Sequence, residues 1–537
     1  MKRYLKSIMI VGLLSLTLVN TSCIKETEPT SSVVTTDQMS RSSGVADALV
    51  SAIPAALNVN WKGGNEGWDY GYGAIMHIRD VMTEDAITTD GDYDWWFQWE
   101  QIYYIGPDYL VTQFVWNSYY KYVQTTNNLI DAINPETATE TQLGYLGAGY
   151  AYRAMFYLDM ARMYEFLPNE IFPDNKNESG NVVLNLTCPI VKVGMTEEEA
   201  RVNPRAARED MAAFIEEDLT EAEKYIEYLS DRRNNTMPDL ACIYGLRARL
   251  YMWVEDYPKA KEYARKAIEA TDVQPITKEE ALNPATGYNL PNEFMWASTQ
   301  NSDTETVQMK SRNWTGWNCN ETDWGYAGRY AAYFMIGKSV YDRIANTDWR
   351  KLQWKAPAGS PLEDQVPFLD AKYKTKLDEY SSIKFRPNAG NNTDYLVGAA
   401  SAYPLMRVEE MYLIEAEAAA HSSDSEGQQL INNFMKSRNP NYNTSLTGKQ
   451  LIDEIVLQKR IELWGEGQTF FDVKRLDMSV TRGYEGTNFF PGCRFNTNGR
   501  PSWMNFCIVR SEENNNEGVK GYNNPDPSDT YKSWSGK

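Results

Sequence analysis

Two short stretches hold the side chains best suited to gripping a sugar. The first is Asp90-Gly91-Asp92-Tyr93-Asp94-Trp95-Trp96-Phe97-Gln98-Trp99, with five aromatics in the seven positions from Tyr93 to Trp99. It has no amphipathic period and lies between helical segments, so it reads as a surface loop. A loop cannot bury all those rings, and a large exposed apolar patch usually marks a binding surface. Rings stack on sugar faces, and neighbouring amides and carboxylates pair with hydroxyls. The second stretch, residues 313–326, places Trp317 and Trp324 beside Asn318 and Asn320 in Gly- and Asn-rich sequence. The expected ligand set is therefore Trp95, Trp96, Gln98, Trp317, Asn318, Asn320 and Trp324, with the rings partly exposed. Trp68, Tyr70 and Tyr72 are the next candidates, and core packing is the competing reading for each ring.

Other chemistries find little support. His77 and His421 are the only histidines, and no serine or cysteine motif accompanies either. There is no C-x-x-C pair for zinc and no Gly-rich phosphate loop. The aspartates of Asp90–Asp94 resemble a calcium loop, but Trp95 stands where that loop needs glycine and Gln101 where it needs glutamate. No metal or cofactor is expected. A formal net charge of -20 argues against a nucleic-acid partner. Non-catalytic glycan binding is the expected function. A glycoside hydrolase, which needs only two suitably spaced carboxylates among 73 acids, is one alternative. A helical repeat scaffold for a peptide or protein is another.

The elements that must position these residues begin after residue 44. Lys2, Arg3 and Lys6 precede an apolar run from Ile8 to Val19, too short for a stable span. Thr21-Ser22-Cys23 follows. Residues 1–22 read as a lipoprotein signal peptide and Cys23 as the lipidated residue, with 23–44 a flexible polar tether. Of the remaining cysteines, Cys493 and Cys507 flank a short loop and could close it.

Residues 45–537 read as one mainly α domain. Residues 45–290 carry helical periodicity, and 238–270 form the clearest repeat unit. There Ala248, Tyr251, Ala260, Ala264 and Ala267 occupy the small and aromatic positions of a tetratricopeptide hairpin, with Asp256-Tyr257 at the turn. Such pairs stack into a superhelical scaffold whose loops share edges, so distant loops can converge. Residues 291–400 read as a loop-rich, aromatic-rich lobe, 401–477 as C-terminal helices and 478–537 as an irregular wrap.

The C-terminal helices mix charge with core residues. Arg407, Glu410, Arg460, Glu462, Glu466 and Asp472 sit among apolar neighbours, where charges must pair. They are expected to pair across two packed helices. Tyr403, Pro404, Arg407, Glu410, Leu413, Ala416, Glu417 and Ala418, followed by Arg460, Glu462, Leu463, Glu466, Gly467, Asp472 and Arg475, resemble the two C-terminal signatures of the SusD/RagB family. Gln458, Lys459, Thr469, Val473 and Leu476 depart from them. The resemblance implies a SusD-like fold on a divergent tetratricopeptide scaffold, in an outer-membrane lipoprotein facing the cell exterior. It implies delivery of an oligosaccharide to a SusC-like, TonB-dependent transporter. It also implies that Trp95 or Trp96 faces Trp317 or Trp324 across the ligand.

Overall fold

A computed structural model describes residues 43–63, 66–89 and 95–536. The signal peptide, Cys23, nearly all of the tether and Asp90–Asp94 lie outside the described residues. The long helices are α1 (Ser43–Ala56), α2 (Tyr72–Val81), α3 (Leu110–Ala132), α4 (Glu140–Tyr164), α5 (Arg208–Ile226), α6 (Leu240–Trp253) and α7 (Tyr257–Ala270). After a long interval come α8 (Val408–Ala420), α9 (Asp424–Met435), α10 (Gly448–Glu462) and the shorter α11 (Thr469–Arg475).

Local chemistry sets several boundaries. Helix α3 stops just before Asn134-Pro135, because a residue preceding proline avoids the helical region. Thr139 and Gln142 form a reciprocal capping box at the start of α4. Asp239 and Asp256 accept backbone N–H bonds as the N-caps of α6 and α7.

Small residues then decide how closely the helices approach. A Cβ on Gly144 would lie 2.6 Å from the backbone nitrogen of Leu229, and one on Gly147 would lie 2.8 Å from that of Ile226. Both glycines let α4 lie against the end of α5. Ala248 on α6 and Ala260, Ala264 and Ala267 on α7 are fully buried where those two helices pack, with Tyr251 half-buried. The array continues past residue 290: α7 packs on α8, and α8 on α9 and α10.

Among the described residues, three two-stranded antiparallel sheets complete the fold. β1 (Ala86–Thr88) pairs with β5 (Phe334–Ile336), β2 (Leu186–Pro189) with β3 (Arg205–Ala207), and β4 (Trp296–Thr299) with β6 (Ala402–Met406). The sequence reading contains none of these strands, which are three to five residues long. β1–β5 stitches residues 291–400 to the first helices, and both regions share one hydrophobic core. The C-terminal wrap is equally fixed. The Arg482 guanidinium donates to the carbonyls of Val81, Thr83 and Glu100 at 2.7–2.9 Å. Cys493 and Cys507 are buried and are not joined by a disulfide, so they do not close their loop.

The C-terminal charges are buried and paired, with a wider set of partners than expected. Arg407 contacts Glu409, Glu462 and Glu466 at 2.9, 3.3 and 3.0 Å. Arg350 and Arg438 each reach Glu462 at 3.1 Å, and Lys384 reaches Glu466 at 2.7 Å. Burial alone would raise the Glu462 carboxyl, but Arg438, Arg407 and Arg350 hold it well below the usual carboxylate range. Two expected pairings are corrected. Arg460 bonds to Glu84 at 2.8 Å and to Asp85, both just beyond α2, and Glu410 pairs with Arg249 of α6 at 2.6 Å. Helix α10 is thereby locked to the N-terminal region, and α8 to the repeat array. Asp472 stays local, 2.9 Å from Lys459 and 3.1 Å from Arg475.

Candidate functional site

The two aromatic stretches do converge, but inside the protein. Trp96 and Trp317 meet edge to face with centroids 5.1 Å apart. Both are buried, Trp96 completely. Trp96 also lies 4.3 Å from the His77 ring, and Trp317 stacks on Tyr326 at 3.4 Å. The Trp317 indole N–H donates to the Gly67 carbonyl at 2.7 Å. Trp95 is half-buried above Gly67, where an added Cβ would come within 2.8 Å of its ring.

The amides are equally committed. Asn318 donates to Trp314 O at 3.0 Å and lies 3.1 Å from His77 Nδ1. Asn320 donates to the carbonyls of Phe334 and Ser382 and accepts from Phe334 N–H, all within 2.9 Å. Trp324 is buried in a separate small cluster with Val307 and Ala399. Trp68, Tyr70 and Tyr72 are also core residues. The expectation of partly exposed rings is therefore corrected. Of the seven residues, Trp95 and Gln98 alone reach partial exposure. The loop turns its tryptophans inward because His77, Gly67 and Tyr326 offer ring and carbonyl partners beneath it.

His77 is part of that interior. Its Nε2 lies 2.9 Å from Thr88 Oγ1, and burial lowers its pKa to about 3. A neutral imidazole fixed on both nitrogens is a packing group. His421 stacks on Tyr257 at 3.5 Å.

What remains outside begins one residue after Trp96. Phe97, Tyr103, Tyr104 and Tyr109 form a row with successive centroids 6.5, 3.7 and 4.9 Å apart. Tyr104 is 40% exposed and the other three rings are half-buried. The backbone beneath is strained: Ile102 and Tyr104 have φ of 54° and 58°. Left-handed conformations at residues with a Cβ cost about 1–3 kcal/mol each and persist only when neighbours enforce them. Here the carbonyl of buried Ile102 accepts from Asp529 N–H at 3.1 Å, and Ile105 N–H donates to Ser528 Oγ at 3.1 Å. Tyr103 N–H bonds to the Gln98 carbonyl at 2.8 Å.

The hydroxyls of the row are also arranged. Tyr103 donates to Tyr104 at 2.7 Å, and that bond pushes the Tyr103 phenol up to about 12. Asp108 and Arg510 make a two-bond pair at 3.0 and 3.2 Å next to Tyr109. Behind it a pocket of about 200 Å³ is lined by Asn177, Asn523, Asn524, Asp526 and Arg510. Rings on one side and amides on the other can hold the two faces of a polyol. The sequence signal for this row was the Tyr103-Tyr104 doublet and Tyr109, just beyond the stretch chosen for its tryptophans.

Residues 292–535 match the SusD family. The SusD-like protein P38 of Formosa agariphila is 21% identical over 423 residues, spanning 70% of this chain and 74% of that protein. The C-terminal part of the chain, residues 292–535, is thus similar to the SusD family. The family match starts after α7, but the likeness to SusD-like structures includes the repeat helices. A SusD-like carbohydrate binding protein from Bacteroides vulgatus superposes with a TM-score of 0.68 at 22% identity, covering 89% of this chain and 97% of that one. A SusD superfamily protein from Bacteroides thetaiotaomicron gives 0.64 at 17% identity, covering 92% and 100%. The fold is thus the expected mainly α, SusD-like one.

Proposed function

We propose that this SusD-like protein captures an oligosaccharide on the row Phe97, Tyr103, Tyr104 and Tyr109, without cleaving it. The observation that carries the reading is the partly exposed aromatic row, held on strained backbone, while Trp96, Trp317 and Trp324 are interior. A Bacteroides vulgatus structure of this fold is described as carbohydrate binding, which supports the ligand class. Trp95 and Gln98 border the row and extend the site from the stretch first singled out.

Capture serves delivery. Lipid on Cys23 holds the protein at the outer membrane, facing the exterior. The tether gives it reach, and a SusC-like, TonB-dependent transporter receives the sugar. Weak stacking suits release, at about 1–2 kcal/mol per ring by analogy with other aromatic contacts.

Burial of Trp96 and Trp317 gives one specific support to peptide binding, since tyrosines also recognise peptides. A glycan array and a peptide array probed with the same full chain separate the two. Glycan spots that disappear in a Tyr104→Ala variant support capture of sugar. Peptide binding lost in that variant, with no glycan bound, would overturn it.

A further inference from the structure

A second cavity lies far from the tyrosine row in sequence and chemistry. It has about 90 Å³ of space and sits among the ends of α4 and α6, the start of α5, and α8, α10 and α11. Seven of its lining side chains are cationic and four are carboxylates, in a chain of net charge -20. Most of these cations have a carboxylate close by. Arg249 has Glu410 at 2.6 Å, Lys459 has Asp472 at 2.9 Å, and Arg162 has Asp159 at 2.7 Å.

One end of the cavity is different. There Arg208, Lys474 and Arg500 gather around the buried carboxylate of Glu165. Glu165 already accepts from Arg208 and, at 2.8 Å, from the Trp253 indole. Lys474 is buried, and its ammonium donates to the backbone carbonyls of Met163 and Glu165 at 2.9 and 2.7 Å. An ammonium has three donors, and carbonyls do not cancel its charge. Arg500 donates to the carbonyls of Lys474 and Pro168. Its nearest carboxylate, Asp477, is 3.7 Å away with a side chain 64% exposed. Glu255 lines the cavity and is also exposed.

Charges placed this way repel one another and are poorly hydrated. Burial drives the Lys474 ammonium well below its usual range; Glu165 pulls the other way, and Arg500, Arg205 and Arg208 push it further down. A small anion would reverse each of these effects.

We infer that the Arg208, Lys474 and Arg500 end of this cavity binds a small oxyanion, a carboxylate or sulfate group. The shared chemistry is two or three oxygens facing a guanidinium fork and an ammonium. The group could arrive as a free ion or on an acidic sugar.

Titrations of the full chain with sodium sulfate, glucuronate and glucose, each against chloride at matched ionic strength, test the site. The readouts are the thermal melt and Trp253 emission, since that indole bonds to Glu165. Sulfate also stabilises proteins non-specifically, so saturation is the criterion. Saturable millimolar binding of sulfate or glucuronate, but not glucose, is expected. Response to both gives a general oxyanion site, and response to one identifies the source. Lys474→Met and Arg500→Gln should each weaken binding at least about tenfold. Glu165→Gln, which removes the competing carboxylate but keeps the shape, should tighten it severalfold. That variant keeps the test decisive if Lys474→Met misfolds. Absence of a saturable response to both anions, or equal affinity in all three variants, would overturn the assignment.

Discussion

Arg460 shows what a single buried charge does in this protein. It is nearly fully buried and its guanidinium spans to Glu84 and Asp85, so α10 is tied to a segment about 375 residues earlier. Removing it strands the buried carboxylate of Asp85. Arg460→Ala should cost about 3–5 kcal/mol, seen as a large drop in melting temperature. An unchanged melt would contradict the pairing. His77 gives the second test at this scale. Burial lowers its pKa to about 3, while the unfolded chain takes up a proton near the ordinary 6.5. The unfolded state therefore binds the extra proton below about pH 6.5. The stability conferred by neutral His77 is whole above that pH and declines as pH falls toward about 3. At pH 5 the loss from this group is about 2 kcal/mol. NMR of the imidazole should show no titration down to about pH 4; a midpoint near 6.5 would place His77 in water. The charged residues were legible as buried and paired, since their apolar neighbours sit in the sequence. Their partners were not, because Glu84, Asp85 and Arg249 are brought close by the fold alone.

Among elements, the repeat helices were the most legible and the sheets the least. Ala248, Ala260, Ala264 and Ala267 mark close helix contact at a fixed spacing, and the structure buries all four. β1 and β5 have three residues each and are separated by about 245 positions, too short for a period and too distant for a hairpin signal. The continuation of the array into α8 and α9 was hidden for a similar reason: the lobe at 291–400 interrupts it. Gly147 offers a direct test of helix approach. A side chain there would meet the backbone of Tyr225 and Ile226 within about 3 Å, and backbone cannot swing aside. Gly147→Val should destabilise by about 1–3 kcal/mol or more through overpacking, with urea denaturation as the measure. A variant as stable as the parent would show that α4 and α5 are not this close.

For the whole molecule, the likeness to the SusD family was legible from two C-terminal patterns, and the family model matches the part of the chain that holds them, while the burial of the aromatic stretches was not legible. Trp95 or Trp96 was expected to face Trp317 or Trp324 across a ligand, whereas Trp96 and Trp317 touch directly in the core. Whether two converging rings face water or core depends on what packs against them, and nothing near them in the chain says that His77 and Gly67 do. The residues left outside, Tyr103 and Tyr104, looked less distinctive than the tryptophans beside them. Anchoring is a separate matter. Cys23→Ala should move the protein out of the membrane fraction; retention after a high-salt wash would refute lipid at Cys23. The capture account itself rests on where the sugar sits. Calorimetric titration of a glycan selected on the array, paired with thermal melts, compares Tyr104→Ala with Trp317→Ala. Tyr104→Ala should weaken binding by about tenfold with little change in the melt. Trp317→Ala should lower stability by about 3–5 kcal/mol as a core cavity. A Tyr104→Ala protein that binds the glycan as tightly as the parent would contradict the account.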